Sequence, residues 1–151
     1  MEHSMNMQPA ESAAAAGITR GVARLLRAMG FEVLEEFKLT SRRRADVAGL
    51  DKQGRFVIVE VKSSLADFRA DAKWPDYLAH CDAFYFAVAG DFPLERLPAE
   101  EGLIVADAFD ATIQRPAAER PMNGNRRRTQ ILRFARQGAR QLAYLRDPGM
   151  R

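Results

Sequence analysis

The sequence predicts one α/β domain in which a mixed β-sheet is flanked by helices. Three observations predict it: a helical apolar repeat near the start, strand-like apolar runs between Phe31 and Ala106, and a second helical repeat near the end. With 151 residues, 47% hydrophobic and 28% charged, the chain can bury one ordinary core and is too short for two.

The elements follow in order. Residues 1–11 are polar and methionine-rich, and disorder is expected there. From Ser12 the pattern turns helical: Ile18, Val22, Leu25, Leu26 and Met29 recur at helical spacing, Arg20, Arg24 and Arg27 take the polar side, and Gly30 is a stop. Phe31 to Leu39 reads as a strand, Arg43 to Leu50 as a second and Arg55 to Lys62 as a third, joined in an antiparallel meander. Ser64 is placed to cap a helix carrying Leu65, Phe68 and Ala72. Pro75 interrupts it, either as a kink or as the start of a second short helix through Cys81. Ala83 to Ala89 is nearly continuous apolar sequence, as in a strand buried on both faces, and Leu103 to Ala106 is a shorter copy beyond a loop marked by Pro93 and Pro98. A Pro/Gly/Asn-rich connector from Arg115 to Asn125 leads to a last helix ending near Leu145, with Ile131, Ala135, Leu142 and Leu145 expected inward and Arg133, Arg136 and Arg140 outward. The predicted order is α-β-β-β-α-β-β-α, within a single domain over residues 12–146.

Composition excludes several function classes. Cys81 is the one cysteine, so no intrachain disulfide forms, and with His3 and His80 as the two histidines a Cys/His zinc site is not expected. No apolar run approaches the roughly 20 residues that span a bilayer, and Ala13 to Ala16 lacks the apolar core of a signal peptide. A reducing cytoplasmic setting without a membrane is the expectation. Charge is uneven: residues 1–114 hold 13 Lys/Arg and 18 Asp/Glu, whereas residues 115–151 hold 10 and 2. A basic C-terminal region suits a phosphate-binding surface, and it equally suits a solvated helix face.

The chemistry converges on Asp46, Glu60 and Lys62. Side chains alternate along a strand, so Phe56, Ile58, Glu60 and Lys62 share one face and Val57, Val59 and Val61 the other. If Lys52 to Gly54 form a three-residue loop, with the glycine at a left-handed position, Asp51 lies opposite Arg55 and Asp46 directly across from Glu60. A four-residue loop would put the two acids on opposite faces. Two carboxylates and a lysine at the end of a hairpin can serve hydrolysis with a hard cation: Mg²⁺ or Mn²⁺ on Asp46, Glu60 and the Val61 carbonyl, and Lys62 to orient water and offset phosphate charge. The plain alternative is a charged pair on a solvent-facing strand. The apolar company of Phe56 and Ile58 argues against it, because ionised groups are seldom set on a partly buried face without a partner.

Asp46 and Glu60-Val61-Lys62, within helix, three strands, helix, strand, resemble the PD-(D/E)xK nuclease superfamily. More narrowly, Arg43-Arg44-Ala45-Asp46-Val47, Val59-Glu60-Val61-Lys62-Ser63-Ser64, Asp67-Phe68-Arg69-Ala70-Asp71, Lys73-Trp74-Pro75-Asp76-Tyr77 and Cys81 to Val88 resemble the bacterial MmcB-like DNA repair proteins, with the likeness running over about residues 12–145. The resemblance implies a restriction-endonuclease-like core, Asp46 and Glu60 as metal ligands and Lys62 as catalytic lysine, with DNA as the partner. A homodimer and DNA repair proteins are further partners it allows. Two departures stand out: Ala45 occupies the position of the superfamily's proline, and the first helix carries no acid between Ser12 and Phe31, for which Glu35 or Glu36 is a candidate substitute.

Around this cluster, Arg42, Arg43, Arg44, Ser63, Ser64, Lys73, Tyr77, Arg133, Arg136 and Arg140 are the candidate nucleic-acid contacts. Each has a structural alternative: charges guarding a strand edge for the arginines at 42–44, a helix cap for Ser64, packing for Tyr77 and solubility for the last helix. Trp74 is read as a packing residue before a stacking one. Two functions from different classes remain, a metal-dependent deoxyribonuclease acting in repair and a non-catalytic DNA-binding module of the same fold. The basic C-terminal region disfavours an adaptor indifferent to nucleic acid.

Overall fold

The computed structural model describes residues 9–149, with side chains from residue 12 onward. The order is α1 (Pro9–Ala28), β1 (Phe31–Lys38), β2 (Arg44–Asp51), β3 (Phe56–Val61), α2 (Leu65–Ala70), a 3-10 helix (Trp74–His80), β4 (Ala83–Val88), a 3-10 turn (Leu94–Arg96), β5 (Gly102–Ala106), β6 (Ala111–Arg115) and α3 (Gly124–Arg146). The strands form one mixed sheet in sequence order. β1, β2 and β3 are antiparallel, β3, β4 and β5 are parallel, and β6 turns back antiparallel to β5.

β3 and β4 are buried along their whole length, as the continuous apolar sequence of β4 requires and as that of β3 does apart from Glu60. On one face of the sheet Val47, Val57, Val59, Val61 and Ile104 pack against Ile18, Val22 and Leu26 of α1. Gly21 lets α1 approach closely, because a Cβ there would lie 2.1 Å from the Asp107 carbonyl oxygen. The opposite face is aromatic. Phe37, Phe56, Phe84 and Phe86 meet Tyr77, Phe134 and the partly buried Trp74, with Trp74 stacked on Phe84 at 5.7 Å between ring centroids. Trp74 is a packing residue, and Pro75 sits in the first turn of a separate 3-10 helix.

Three expectations need correction. Helix α1 begins at Pro9, so residues 9–11 are helical; the earlier residues expected to be disordered lie outside the described chain. A sixth strand, Ala111–Arg115, follows β5, where no strand is expected from sequence. Its alternation of half-buried Ala111, Ile113 and Arg115 with exposed Thr112 and Gln114 suits an edge strand covered on one face, and five residues give that period little weight. Helix α3 is also rotated from its predicted orientation. Gln130 and Phe134 are its buried residues, while Ile131, Leu142 and Leu145 are exposed, Leu145 to 80%.

The reason for the rotation is that α3 covers a strand edge. β1 borders the sheet, and an uncovered edge offers free backbone groups. The Gln137 amide accepts from the Lys38 N–H at 2.9 Å and donates to its carbonyl at 2.8 Å, Gln141 donates to the Glu35 carbonyl, and Arg133 donates to the Lys38 and Leu39 carbonyls. A helix docked by amide and guanidinium groups has a polar inner face, which an apolar-inward rule reads backwards.

Asp82, buried just before β4, fastens the connector and α3 to the sheet. It accepts from the Phe56 N–H at 2.8 Å and the Met122 N–H at 3.0 Å, and the Arg127 guanidinium donates to both its oxygens. Burial pushes its pKa up, but the bonds from Arg127, Phe56 and Met122 outweigh this and hold the carboxyl below the usual range. Asp82→Asn is expected to lower the free energy of unfolding by about 3 kcal/mol at neutral pH, since the half-buried Arg127 guanidinium loses its counter-charge and a buried polar network loses an acceptor. Because the folded pKa is depressed, the wild-type advantage is present above about pH 4 and fades as pH falls through the folded value. Urea unfolding of both proteins across that range checks this.

Candidate active site

The loop between β2 and β3 decides where the acids meet. The Asp51 N–H donates to the Arg55 carbonyl at 3.0 Å, the Gly54 N–H donates to the Asp51 carbonyl, and Gly54 has φ +85°, the left-handed residue of a three-residue hairpin loop. The register runs Leu50 to Phe56, Gly49 to Val57, Ala48 to Ile58 and Val47 to Val59, and its continuation sets Asp46 across from Glu60. Beyond the last paired residues, side chains replace the ladder. The Asp46 N–H donates to Glu60 Oε1 at 3.1 Å, and the Val61 N–H donates to Asp46 Oδ2 at 2.8 Å. Each carboxylate is thus oriented by backbone, and the two carboxyl groups lie close enough to hydrogen-bond each other when Glu60 is protonated.

Both acids line a cleft of about 610 Å³ with Lys62, Glu36 and Asp67, closed on one side by Ala15 and Ala16 of α1. Glu60 is 5% exposed and Lys62 likewise 5%. Burial, then the neighbouring Asp46 charge, pushes Glu60 up to about 9. Burial also raises Asp46, to about 6, with the Val61 bond opposing and Glu36 adding to the rise. A buried and a half-buried carboxylate held together resist double ionisation. Such a pair, which gives up its shared proton when a cation takes its place, is a donor set that a hard divalent cation complements. No three Asp, Glu, His or Cys side chains among the described residues converge as a ready-made cage, so waters and substrate oxygens would complete the coordination, as Mg²⁺ commonly requires.

Lys62 does not stand alone. Its Nζ donates to Asp71 Oδ2 at 2.7 Å, and Asp71 closes α2 with its own N–H on the Phe68 carbonyl. Burial raises the Asp71 pKa, but the Lys62 ammonium overrides this and keeps the carboxyl below its ordinary value. Sequence reasoning missed this partner, since the pairing depends on α2 being a short helix that folds back over the end of β3. Glu36 lies on β1 between the Glu35–Val47 and Phe37–Ala45 pairs, level with Asp46, with φ +53°. Its carboxylate meets Arg44 at 3.3 Å.

The structure separates the candidate nucleic-acid residues. Ser63 and Ser64 line the cleft, yet both are held by the α2 cap: the Ser64 hydroxyl accepts from the Asp67 N–H, and the Ser63 N–H donates to Asp67 Oδ2. Arg43 pairs with Asp76 at 3.0 Å, and Lys73 is exposed. Tyr77 is a correction: its ring is buried against Phe84 and its hydroxyl donates to the Arg44 carbonyl at 2.9 Å, so it faces the core. Arg133, expected outward, donates to β1 carbonyls, whereas Arg136 and Arg140 are exposed. Arg42 and Arg44 border a different cavity from the acids.

A family model for DNA repair protein MmcB-like sequences matches residues 2–149. Among solved structures, the SPO1766 protein of unknown function from Silicibacter pomeroyi is 47% identical, with a TM-score of 0.87 and 97% of each chain covered. No functionally curated protein matches. The mixed sheet and flanking helices are consistent with a restriction-endonuclease-like core.

In metal-free protein the raised carboxyl pKa values carry a stability signature. A folded pKa above the unfolded one favours the fold at low pH, and that contribution is lost as pH rises through about 6 for Asp46 and about 9 for Glu60. Glu60→Gln keeps an oxygen for the Asp46 N–H and removes the charge. It is expected to melt higher than the parent above neutral pH in EDTA, with the gap widening toward pH 9; thermal melts across pH would contradict this if the variant melted lower throughout.

Proposed function

We propose, for a chain that belongs to the MmcB-like family of DNA repair proteins, a metal-dependent deoxyribonuclease of the PD-(D/E)xK type that hydrolyses DNA phosphodiester bonds. The observation that carries this reading is the backbone-oriented Asp46–Glu60 pair, Glu60 buried and Asp46 half-buried, opening onto one cleft beside Lys62. Asp46, Glu60 and the carbonyl of Val61 would hold Mg²⁺ or Mn²⁺. Such an ion, when bound, supplies Lewis-acid stabilisation of phosphate charge and acidifies a bound water.

The residues themselves have separable tasks. Asp46 and Glu60 orient their oxygens through the Val61 and Asp46 amides, so little reorganisation is needed at the reacting centre. Lys62 presents its ammonium to the attacking water and to the developing charge on phosphate. Asp71 positions that ammonium and leaves its remaining donors for the cleft. The wall of α1 excludes solvent on one side.

A second reading, a DNA-binding module that recruits repair partners without cutting, is favoured by one observation: α1 supplies no acid between Ser12 and Ala28. A panel of single-stranded, duplex, flap and junction DNAs incubated with Mn²⁺ or Mg²⁺ separates the two. The parent is expected to cleave at least one substrate and Glu60→Gln none; binding without cleavage on all of them would establish the recruitment module. In the cleaving case Lys62→Ala should lower turnover by about 10²-fold or more while leaving the metal-induced rise in melting temperature. Asp71→Asn should reduce kcat by a smaller factor and shift its pH profile; a profile unmoved in Asp71→Asn would confine Asp71 to capping α2.

A further inference from the structure

Two non-glycine residues among those described have positive φ, Glu36 at +53° and Arg42 at +71°. Glu36 lines the acidic cleft. Arg42 lines a separate cavity of about 500 Å³ bordered by Lys38, Leu39, Thr40, Arg44 and Arg133, with four basic side chains and no acid in its wall. The two cavities are joined by one ion pair, since Arg44 belongs to the basic cavity and reaches Glu36 at 3.3 Å.

The conformation of Arg42 is the more telling feature. The turn between β1 and β2 has the Arg42 N–H on the Leu39 carbonyl and the Leu39 N–H on the Arg43 carbonyl. The turn between β2 and β3 repeats that pattern, with the Gly54 N–H on the Asp51 carbonyl and the Asp51 N–H on the Arg55 carbonyl. In the second turn the left-handed position is filled by glycine, which tolerates it without steric cost; in the first it is filled by arginine, which does not. No hydrogen bond or ion pair holds the Arg42 guanidinium among the described residues, and the same is true of the Lys38 ammonium. Fold stability therefore gives no reason for arginine there. Strain kept at an exposed turn, aimed into a basic cavity, is a mark of function.

We propose that Lys38, Arg42, Arg44 and Arg133 form a backbone-phosphate site, which receives the nucleic-acid strand on the far side of Glu36 from the Asp46–Glu60 cleft. This deepens the nuclease reading and rests on it for the identity of the strand. Thr40 also borders a neighbouring cavity of about 320 Å³ with Asn123, Asn125 and Arg126 at the start of α3, so the path continues toward the positive end of a 23-residue helix. The walls of both cavities lack aromatic rings, so bases find no stacking platform, and recognition is by phosphate and independent of sequence.

Arg42→Gly tests this, because strain and phosphate binding move in opposite directions. The variant should melt about 1–3 °C higher than the parent, as left-handed strain is relieved and partly offset by glycine's chain entropy. It should also bind a fluorescein-labelled mixed-sequence oligonucleotide, measured in EDTA as single strand and as duplex, several-fold more weakly, with the slope of log K against log salt reduced by about 0.7–0.9. Unchanged affinity and slope, or a lower melting temperature, overturns the proposal. The binding arm needs no cleavage, so a parent that fails to cut DNA while Arg42→Gly still loses affinity would end the nuclease reading and leave this site standing.

Discussion

The register of the β2–β3 hairpin is the constraint on which the site depends. Gly54 at φ +85° closes a loop of three residues, and with that count fixed every residue from Arg55 to Val61 has its partner assigned. One more loop residue would turn Asp46 to the opposite face of the sheet from Glu60. The apolar pattern secures the same register independently. Val57 and Val59 must face α1, and Phe56 and Ile58 must face the aromatic layer, so a slip would expose one core to water and bring charge into the other. Core burial and site geometry are enforced by the same pairing.

That pairing brings two carboxylates together where the dielectric is low. Burial penalises their charged forms, and proximity penalises the second ionisation further, which is the origin of the raised values at both acids. The fold tolerates this because each acid receives a backbone N–H from the other's strand. Lys62 offsets part of the charge, but Asp71 holds its ammonium, so the cleft has more acid than base without a cation. Glu36 deepens the deficit from β1. Such a cleft does not attract a polyanion by itself. Cation binding and phosphate binding are therefore divided between two places, the cation at the acids and the phosphates elsewhere.

Much of this was legible in the sequence. Strand periodicity and a glycine at the last loop position pointed to the three-residue loop that sets Asp46 across from Glu60, though a four-residue loop fitted the same pattern, and continuous apolar sequence identified β4 as a strand buried on both faces. What was not legible depends on contacts between distant elements. The inward face of α3 carries Gln137 and Gln141 to satisfy groups on the edge of β1, and Gln130 to meet the His80 carbonyl at the end of the 3-10 helix, and no local pattern announces that. The Lys62–Asp71 pair needed the length of α2, and the burial of Tyr77 needed the path of the 3-10 helix across β4. The left-handed backbone of Glu36 and Arg42 has no sequence signature, since neither residue type favours it.

The rotation of α3 changes how the basic C-terminal region is to be understood. An even row of arginines along one helix face would be a generic polyanion surface. Instead Arg127 is held by Asp82, Arg126 by the Ala79 carbonyl and Arg133 by carbonyls of β1 and the following turn, so three of the cations in this helix are fixed in position by the fold. A guanidinium anchored by carbonyls keeps its full charge and loses its freedom, and so presents a defined positive point where a loose side chain presents an average one. Arg133 is such a point in the wall of the basic cavity, and its anchors are on the strand and turn that carry Lys38 and lead to Arg42. The helix that protects the sheet edge thereby also fixes the electrostatics of the β1–β2 turn, which ties phosphate placement to the same scaffold that aligns Asp46 with Glu60.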